Sequence, residues 1–361
     1  MSPASDTPVK FDHLSPAQKW IPSLNGLRAL SIYCVLQGHL YHTRGFFLSG
    51  ENTWGGDYGI LGVRFFFVIS GFLITTLLIR ELKETNTISL KNFYIRRIFR
   101  IFPAAFFYIG AIALLNYCQL ITLKDNDLIH AVTYTINYHR PRSWYVGHLW
   151  SLSVEEQFYL IWPLMMLLLG FRRSMILAVL VILATPAIRS GVYLLLPGSR
   201  EGIGETFPTI MDTIATGCLL SGIRNTLSKN KIYEAFLSSP FFILVPLAIF
   251  PLNNFSKEYP SLGYPVGETV LNLLIALCID WCITHSKSAV GRFLNSKPLN
   301  FIGVLSYSLY LWQQLFINKR LEHQVFVFPV NILLTFACAL ISYYFVEKYF
   351  LSQRERFIVS G

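Results

Sequence analysis

Charged residues are scarce in this chain of 361 residues, since Asp, Glu, Lys and Arg together make up only 14% of it. Soluble domains carry about 25% charged residues, so the composition argues against an ordinary cytoplasmic enzyme. Hydrophobic residues reach 53% and the mean hydropathy is +0.47, which is too apolar for a disordered chain. The net charge of +10 leaves two explanations, which are nucleic-acid binding and the positive-inside bias of a membrane protein.

Several motifs that would indicate familiar soluble sites are also missing. The sequence contains no GxxxxGK[ST], HExxH, GxSxG or EF-hand pattern. Its six cysteines have no zinc-like spacing, and nearly all lie in apolar runs. We therefore predict six buried apolar cysteines and no bound metal. The polar N-terminus lacks the basic stretch and apolar core of a cleavable signal peptide.

Long apolar runs are abundant, and we count ten that are long enough to cross a membrane. They cover approximately residues 22–42, 58–79, 101–119, 149–169, 175–196, 207–223, 235–252, 265–285, 301–318 and 327–347. The fold class predicted is all-α, a polytopic integral membrane protein with about ten transmembrane helices. We expect a cytoplasmic N-terminal segment 1–21, a transmembrane domain 22–350 and a cytoplasmic tail 351–361.

The positions of the basic residues decide between the two explanations of the net charge. With the N-terminus inside, the cytoplasmic segments hold 19 Lys and Arg residues and the outer loops hold 8. This asymmetry predicts that both termini are cytoplasmic. It also accounts for the positive charge without a nucleic-acid partner and indicates membrane lipid as the surrounding partner.

The first predicted span contains Arg28 and His39, which are rare residue types inside a membrane. Eleven residues of helix bring both side chains to one face, offset by about 20° and separated by about 16 Å along the axis. An imidazole is the usual general base near neutral pH, and the cation could hold an anionic ligand. The alternative is that Arg28 reaches the inner interface and His39 lies at the outer one.

Three arginines precede the third span, where Arg97 and Arg100 share a helix face and Arg96 adjoins them. Guanidinium groups on one face bind phosphate well, although anionic lipid headgroups would satisfy them too. In the second span, Ser70 and Gly71 allow close backbone approach. That pair indicates either tight helix packing or space for a narrow ligand between the helices.

Acidic residues inside predicted spans are further candidates. Glu155 and Glu156 adjoin each other in the fourth span, and Glu347 lies near the inner end of the last. Neighbouring helical residues point about 100° apart, so at most one of the first two faces a given cavity. Each carboxylate could pair with an intramembrane arginine or orient a histidine. The loop 120–148 is aromatic and basic, which suits either glycan binding or an interfacial aromatic belt.

Together these segments resemble the acyltransferase-3 family of polytopic membrane acyltransferases over nearly the whole chain. The matching stretches are Arg28 to His39 (Arg-x10-His), Phe66 to Phe72 (FFxxSGF), Arg97 to Arg100 (RxxR), WSLSVEEQFYLIWP from Trp150, LSYSLYLWQQ at 305–314 and the final SYYFVEKYF that holds Glu347. Many members have His where Gln313 and Gln314 stand here, so we assign no catalytic role at those two positions.

The resemblance implies an O-acyltransferase that moves acetyl, or another short acyl group, from cytoplasmic acyl-CoA to a glycan hydroxyl. Acetyl-CoA or another acyl-CoA is then the co-substrate, and the acceptor is a glycan or lipid-linked glycan such as O-antigen, capsule, exopolysaccharide or peptidoglycan. The location implied is the bacterial inner membrane, and the chain is expected to be the stand-alone form without a fused hydrolase-like domain. The sequence does not indicate an oligomeric state.

The resemblance also gives each residue an expected role. His39 is the general base or carries the acyl group, Arg28 binds phosphate or developing negative charge, and a glutamate orients the imidazole, with Glu156 favoured over Glu155. The acyl-CoA site comprises Arg96, Arg97, Arg100, Ser70, Gly71, Phe66 and Phe72. Glu347 and Trp150 are expected to support these groups.

Two other functions fit a polytopic membrane protein with buried charges. A transporter that flips a glycan or acylated lipid would also need them, although it would favour inverted repeats, which we do not see in the sequence. A non-catalytic scaffold would use Arg28 and His39 only as a structural pair.

Overall fold

The computed structural model describes residues 21–41, 43–47, 58–318, 321 and 323–357. Helices dominate these residues and no β-strand occurs among them, which confirms the all-α prediction. The long helices are α1 Leu24–Leu40, α2 Gly59–Thr85, α3 Leu90–Tyr117, α4 Leu149–Leu195, α5 Phe207–Leu227, α6 Pro240–Glu258, α7 Pro260–Thr284, α8 Lys297–Phe316 and α9 Val330–Gln353.

The two terminal segments of the expected division lie at least partly outside the described residues. The predicted cytoplasmic segment 1–21 lies outside them except for residue 21, and so do residues 358–361 of the predicted tail. Helix α9 continues to Gln353, beyond the expected end of the transmembrane domain at residue 350. The division into three parts otherwise stays a prediction.

Helix occupies most of each of the ten predicted apolar ranges, and α4 contains two of them. This long helix bends at Gly170, whose φ of 74° and ψ of 168° favour glycine. The Ser174 hydroxyl donates a hydrogen bond of 3.2 Å to the carbonyl of Met165, nine residues earlier. Nine residues of straight helix would span about 14 Å. The chain therefore bends sharply at Gly170, and α4 consists of two helical segments.

The apolar helices indicate a multi-pass membrane protein. Five helices in the described part are long and apolar enough to cross a membrane, and a bent pair, Lys231–Ser238 with Pro240–Glu258, raises the number to six. The five are α2, α3, α7, α9 and the continuous stretch Trp144–Leu195, which includes α4. A total of about ten spans and the cytoplasmic position of both termini stay predictions.

The cysteines differ in part from the prediction. Those that are buried as expected are Cys218, Cys278 and Cys282. Cys34 and Cys338 are only half-buried, and Cys118, just after α3, is exposed. The prediction is wrong for these three because an apolar run does not reveal which face of its helix meets the protein core.

A buried network of charged side chains joins α2, α4, α5 and α7. The Arg64 guanidinium lies 2.8 Å from the Glu268 carboxylate, and Arg189 contacts both oxygens of Asp212 at 3.1 Å. Arg189 also lies 3.3 Å from Glu268, and Asn272 bridges Arg64 and Asp212. We call Arg64, Arg189, Asp212 and Glu268 the paired network. Its two cations and two anions hold four helices together because each buried charge has a partner.

Candidate active site

Two neighbouring cavities lie between the helices and share part of their walls. The first is the arginine cavity, whose polar lining residues include Arg28, Ser70, Arg97, Arg100, Ser151, Glu155, Tyr159, Tyr307 and Tyr310. The second is the histidine cavity, whose lining residues include His39, Arg140, Arg142, Trp144, His148, Trp150, Glu205, Tyr310 and Gln314. Val63 and Tyr310 line both.

Helix α1 places one predicted residue in each cavity. Arg28 lines the arginine cavity, and His39, three turns further along, lines the histidine cavity. The sequence spacing predicted that both side chains project from one face of α1, and in the structure each lines a cavity between the helices. The two residues nevertheless line different cavities.

Three guanidinium groups in the arginine cavity have no contact ion pair. Arg28, Arg97 and Arg100 are half-buried, and none has a carboxylate oxygen within 4.0 Å among the residues that the structure describes. Glu155 and Glu347 attract Arg28 only from a longer range. A cluster of half-buried guanidiniums without contact partners favours an anion, because charge-assisted hydrogen bonds to phosphate or carboxylate would satisfy its donors.

Aromatic rings fix the position of Arg97 in this wall. Its guanidinium lies 4.9 Å from the ring centre of Tyr159 and 5.6 Å from that of Phe93, distances at which a cation is attracted to an aromatic face. The Tyr159 hydroxyl is hydrogen-bonded to that of Ser70. Ser70 therefore holds the ring that supports Arg97, which is a role the sequence did not reveal.

Arg96 differs from its two neighbours in the RxxR stretch. Its guanidinium makes a salt bridge of 2.9 Å to Glu81 in α2, and it is not among the residues that line the arginine cavity. Adjacent helical residues diverge by about 100°, so Arg96 points away from the face that carries Arg97 and Arg100. Of the three predicted arginines, Arg97 and Arg100 line the cavity, whereas Arg96 is paired with Glu81.

The FFxxSGF stretch divides between two faces of α2. Phe66 and Ser70, one turn apart, line the arginine cavity. Gly71 faces α5, where an added Cβ would lie 2.0 Å from the carbonyl oxygen of Ile214. Phe72 is buried in an apolar core that also includes α5 residues. Of the two alternatives for the Ser-Gly pair, Ser70 reaches the cavity and Gly71 serves helix packing.

The predicted carboxylates and Trp150 occupy separate positions. Glu155 lines the arginine cavity, whereas Glu156, the glutamate favoured from the sequence, lines neither cavity among the described residues. The Glu156 Oε1 atom is buried without a hydrogen-bond partner in that part of the chain. Glu347 is buried and accepts a hydrogen bond of 3.1 Å from Ser308. Trp150 lines the histidine cavity.

Two glutamines hold the imidazole of His39. The Nδ1 atom lies 2.8 Å from Oε1 of Gln313, an oxygen that only accepts, so Nδ1 carries the proton. The side-chain amide of Gln314 lies 3.3 Å from Nε2 and donates to it. The ring of Trp144 packs edge-on at 5.5 Å. These contacts favour the tautomer whose Nε2 lone pair can accept a proton.

A second histidine fixes the orientation of Gln314. Both the backbone N–H and the ring Nδ1 of His148 lie near Oε1 of Gln314, at 3.1 and 2.9 Å. The His148 Nε2 atom lies 3.0 Å from the carbonyl oxygen of Leu311. Gln313 and Gln314 were given no role from the sequence, although their position in a motif where many family members have His was a signal for their contact with His39.

The loop 120–148 folds over the histidine cavity through its own polar contacts. Asp127 accepts hydrogen bonds from the backbone N–H groups of Lys124 and Ser143, which closes the loop. Glu205 makes salt bridges to Arg140 and Arg142, and Glu201 lies 3.9 Å from Arg140, so two carboxylates compensate these two guanidiniums. This part of the cavity is therefore suited to a polar ligand without a strong negative charge.

Comparison with known proteins agrees with the motifs. Residues 21–347 match the acyltransferase-3 family model, described as "Acyltransferase domain". The chain belongs to the acyltransferase-3 family. It is 31% identical over 364 residues to "O-acetyltransferase OatA" of Staphylococcus aureus (strain NCTC 8325 / PS 47), covering 91% of this chain and 57% of that protein.

A second relative comes from Bacillus subtilis (strain 168) and is named "Putative peptidoglycan O-acetyltransferase YrhL". It is 29% identical over 378 residues, which cover 93% of this chain and 56% of that protein. The chain therefore spans little more than half the length of these curated relatives. No solved structure gives a significant match.

Proposed function

We propose that the chain is a membrane O-acyltransferase that moves acetyl, or another short acyl group, from cytoplasmic acyl-CoA to a glycan hydroxyl outside the inner membrane. One observation carries the proposal. A cavity with three guanidiniums that lack contact ion pairs adjoins a cavity that presents His39, and both share the walls formed by Val63 and Tyr310. An anionic donor and a neutral acceptor can therefore approach each other from two sides.

The donor site is assigned to the arginine cavity. CoA carries several phosphates that cannot enter hydrocarbon, so its head must remain at the cytoplasmic surface. Arg97 and Arg100 lie in the first half of α3, within the basic segment that the predicted topology places in the cytoplasm, and both line this cavity. Arg28 lies in the same wall, where it binds a phosphate of CoA.

The transfer itself needs a base and an electrophile. The acceptor hydroxyl oxygen bonds to the thioester carbonyl carbon, the carbon–sulfur bond breaks, and the hydroxyl proton passes to Nε2 of His39. The protonated imidazole then gives that proton to the departing CoA sulfur. Gln313 keeps Nδ1 protonated throughout, and an acceptor hydroxyl takes the place of the Gln314 amide at Nε2.

The acceptor site is assigned to the histidine cavity. Trp144 and Trp150 offer aromatic faces, and the arginines of the loop are paired with Glu205, which suits a neutral sugar better than a polyanion. Peptidoglycan is the first acceptor to test, because one relative carries it in its name. O-antigen, capsule and exopolysaccharide are the other classes.

A sided transfer assay tests the proposal. The purified chain is placed in vesicles with [14C]acetyl-CoA on the face of Arg97 and peptidoglycan fragments on the other face. We expect alkali-labile label on the glycan from the wild type and none from His39→Ala. His285→Ala is the matched control, because this imidazole stacks on Trp281 at 4.8 Å and lines neither cavity.

Two results would overturn the proposal. Label that never leaves CoA while unmodified glycan crosses the vesicle membrane would identify a transporter. Wild-type labelling by His39→Ala would remove the imidazole from the mechanism.

A further inference from the structure

We infer that Val63 and Tyr310 form a constriction between the two cavities that limits the length of the acyl group the protein transfers. The inference rests on the proposed function, because it assumes that CoA occupies the arginine cavity and that His39 acts in the other. These two side chains line both cavities. The acyl end of the donor must therefore pass between them to reach the imidazole.

Tyr310 is held firmly on its side of the constriction. Its hydroxyl lies 2.6 Å from that of Ser151 and donates to the carbonyl oxygen of His148 at 2.8 Å. The ring of His148 packs against it with centroids 5.4 Å apart. A buried aromatic ring with a satisfied hydroxyl and packed faces moves little, so Tyr310 presents a fixed wall.

The position of Val63 is also fixed, because its helix packs closely against α1. The preceding residue, Gly62, lies so close to α1 that an added Cβ would be 2.5 Å from the carbonyl oxygen of Ser31. The backbone of α2 is thus pressed against α1 at this level. Beside the constriction, the rings of Phe67 and Trp150 meet edge-on at 6.0 Å. The width of the passage is therefore set by side-chain size.

A rigid passage of this kind discriminates between acyl chains by volume. An acetyl group adds only a methyl beyond the carbonyl, whereas a butyryl group adds two further methylenes. One methylene in a fitted apolar site changes rates by about 10- to 200-fold. Replacing Val63 with a smaller residue should relax this selection, and replacing it with a larger one should close the passage.

The test compares acetyl-CoA with butyryl-CoA in the sided transfer assay. We expect Val63→Ala to raise the butyryl-to-acetyl ratio of kcat/KM by about tenfold. Val63→Phe should reduce transfer of both groups by at least tenfold while the Kd for CoA stays within twofold of wild type. Val179→Ala is the matched control, since Val179 is exposed and lines neither cavity, and it should keep the wild-type ratio. Circular dichroism checks that each variant is folded.

The outcomes separate this inference from the function on which it rests. Wild-type protein that transfers acetyl, with the same butyryl-to-acetyl ratio in Val63→Ala, would overturn the constriction and leave the acyltransferase intact. Full activity of Val63→Phe would do the same. A wild type that transfers neither group would overturn both proposals.

Discussion

Two groups of arginines in the helix bundle differ in burial and in whether a carboxylate contacts them. Arg64 and Arg189 belong to the paired network, where they lie 2.8–3.3 Å from the oxygens of Glu268 and Asp212. Arg28, Arg97 and Arg100 have no such contact within the described residues. Both groups lie in a mostly apolar helix bundle, so the contrast cannot be explained by sequence composition.

Arginine therefore has different roles in the paired network and in the arginine cavity. Buried charges that satisfy one another stabilise the arrangement of α2, α4, α5 and α7, and removing one partner leaves a costly uncompensated charge. Guanidiniums that line a cavity without a carboxylate in contact contribute less to folding and can bind an anionic ligand. The paired network should therefore respond to mutation through stability, and the arginine cavity through binding and turnover.

The largest expected effect is on stability in the paired network. Asp212→Leu removes one of the two carboxylates of the paired network and leaves Arg64 and Arg189 to share Glu268, and breaking a buried pair in this way costs about 3–5 kcal/mol. We expect a marked fall in melting temperature, which is measured by circular dichroism of the protein in detergent. The double variant Arg189→Met with Asp212→Leu should recover part of the loss. An unchanged melting temperature in Asp212→Leu would show that the network is not structural.

The complementary change is made in the arginine cavity. Arg28→Ala should leave the melting temperature near that of wild type, while kcat/KM falls about 10- to 100-fold, because a hydrogen bond to a charged group contributes about 1.5–3 kcal/mol. Arg173→Ala is the matched control, as Arg173 is exposed. A loss of stability as large as that of Asp212→Leu would contradict the distinction between the two groups.

Helix packing next to the arginine cavity gives a third, smaller effect. Gly71→Ala should destabilise the protein by about 1–3 kcal/mol through overpacking, because its Cβ would meet Ile214. Gly110→Ala is the control, since a Cβ there has nothing within 4 Å. The melting temperatures of Gly71→Ala and Gly110→Ala are compared. If Gly71→Ala kept wild-type stability but lost CoA affinity, Gly71 would belong to the ligand path.

The smallest predicted effect concerns the support of His39. Gln313→Leu removes the acceptor of the Nδ1 proton, and a hydrogen bond of this kind contributes about 0.5–1.5 kcal/mol. We expect kcat to fall by about 2- to 10-fold while the KM for acyl-CoA is unchanged. Steady-state kinetics at several pH values provide the measurement. A change confined to KM would place Gln313 in substrate binding.

Patterns along the chain predicted much of this architecture. Long apolar runs predicted helices in all ten ranges, and the 11-residue spacing predicted that Arg28 and His39 project from one face of their helix. Those predictions succeed because they depend on the period of one helix. Partners from distant segments could not be predicted in this way. Asn272, for example, lies 208 positions from Arg64, and its side-chain oxygen still accepts a hydrogen bond of 3.1 Å from that guanidinium.

The predictions that differ from the structure depend on rotation about a helix axis or on long-range contacts. Neighbouring residues were grouped by sequence, yet Arg96 contacts Glu81 while Arg97 reaches the cavity. Glu155 lines the arginine cavity in place of Glu156 for the same reason. Gln313 was set aside because it departs from the family pattern, whereas the packing of α8 against α1 brings it to His39.

The central claim is that the arginines without contact ion pairs form a CoA site. Isothermal titration of CoA into the nanodisc-embedded wild type and the double variant Arg97→Ala with Arg100→Ala tests it most directly. Each guanidinium that binds a phosphate contributes about 1.5–3 kcal/mol. Removing both should therefore raise the Kd at least about 100-fold, with the melting temperature unchanged. An equal Kd for both proteins would contradict the account.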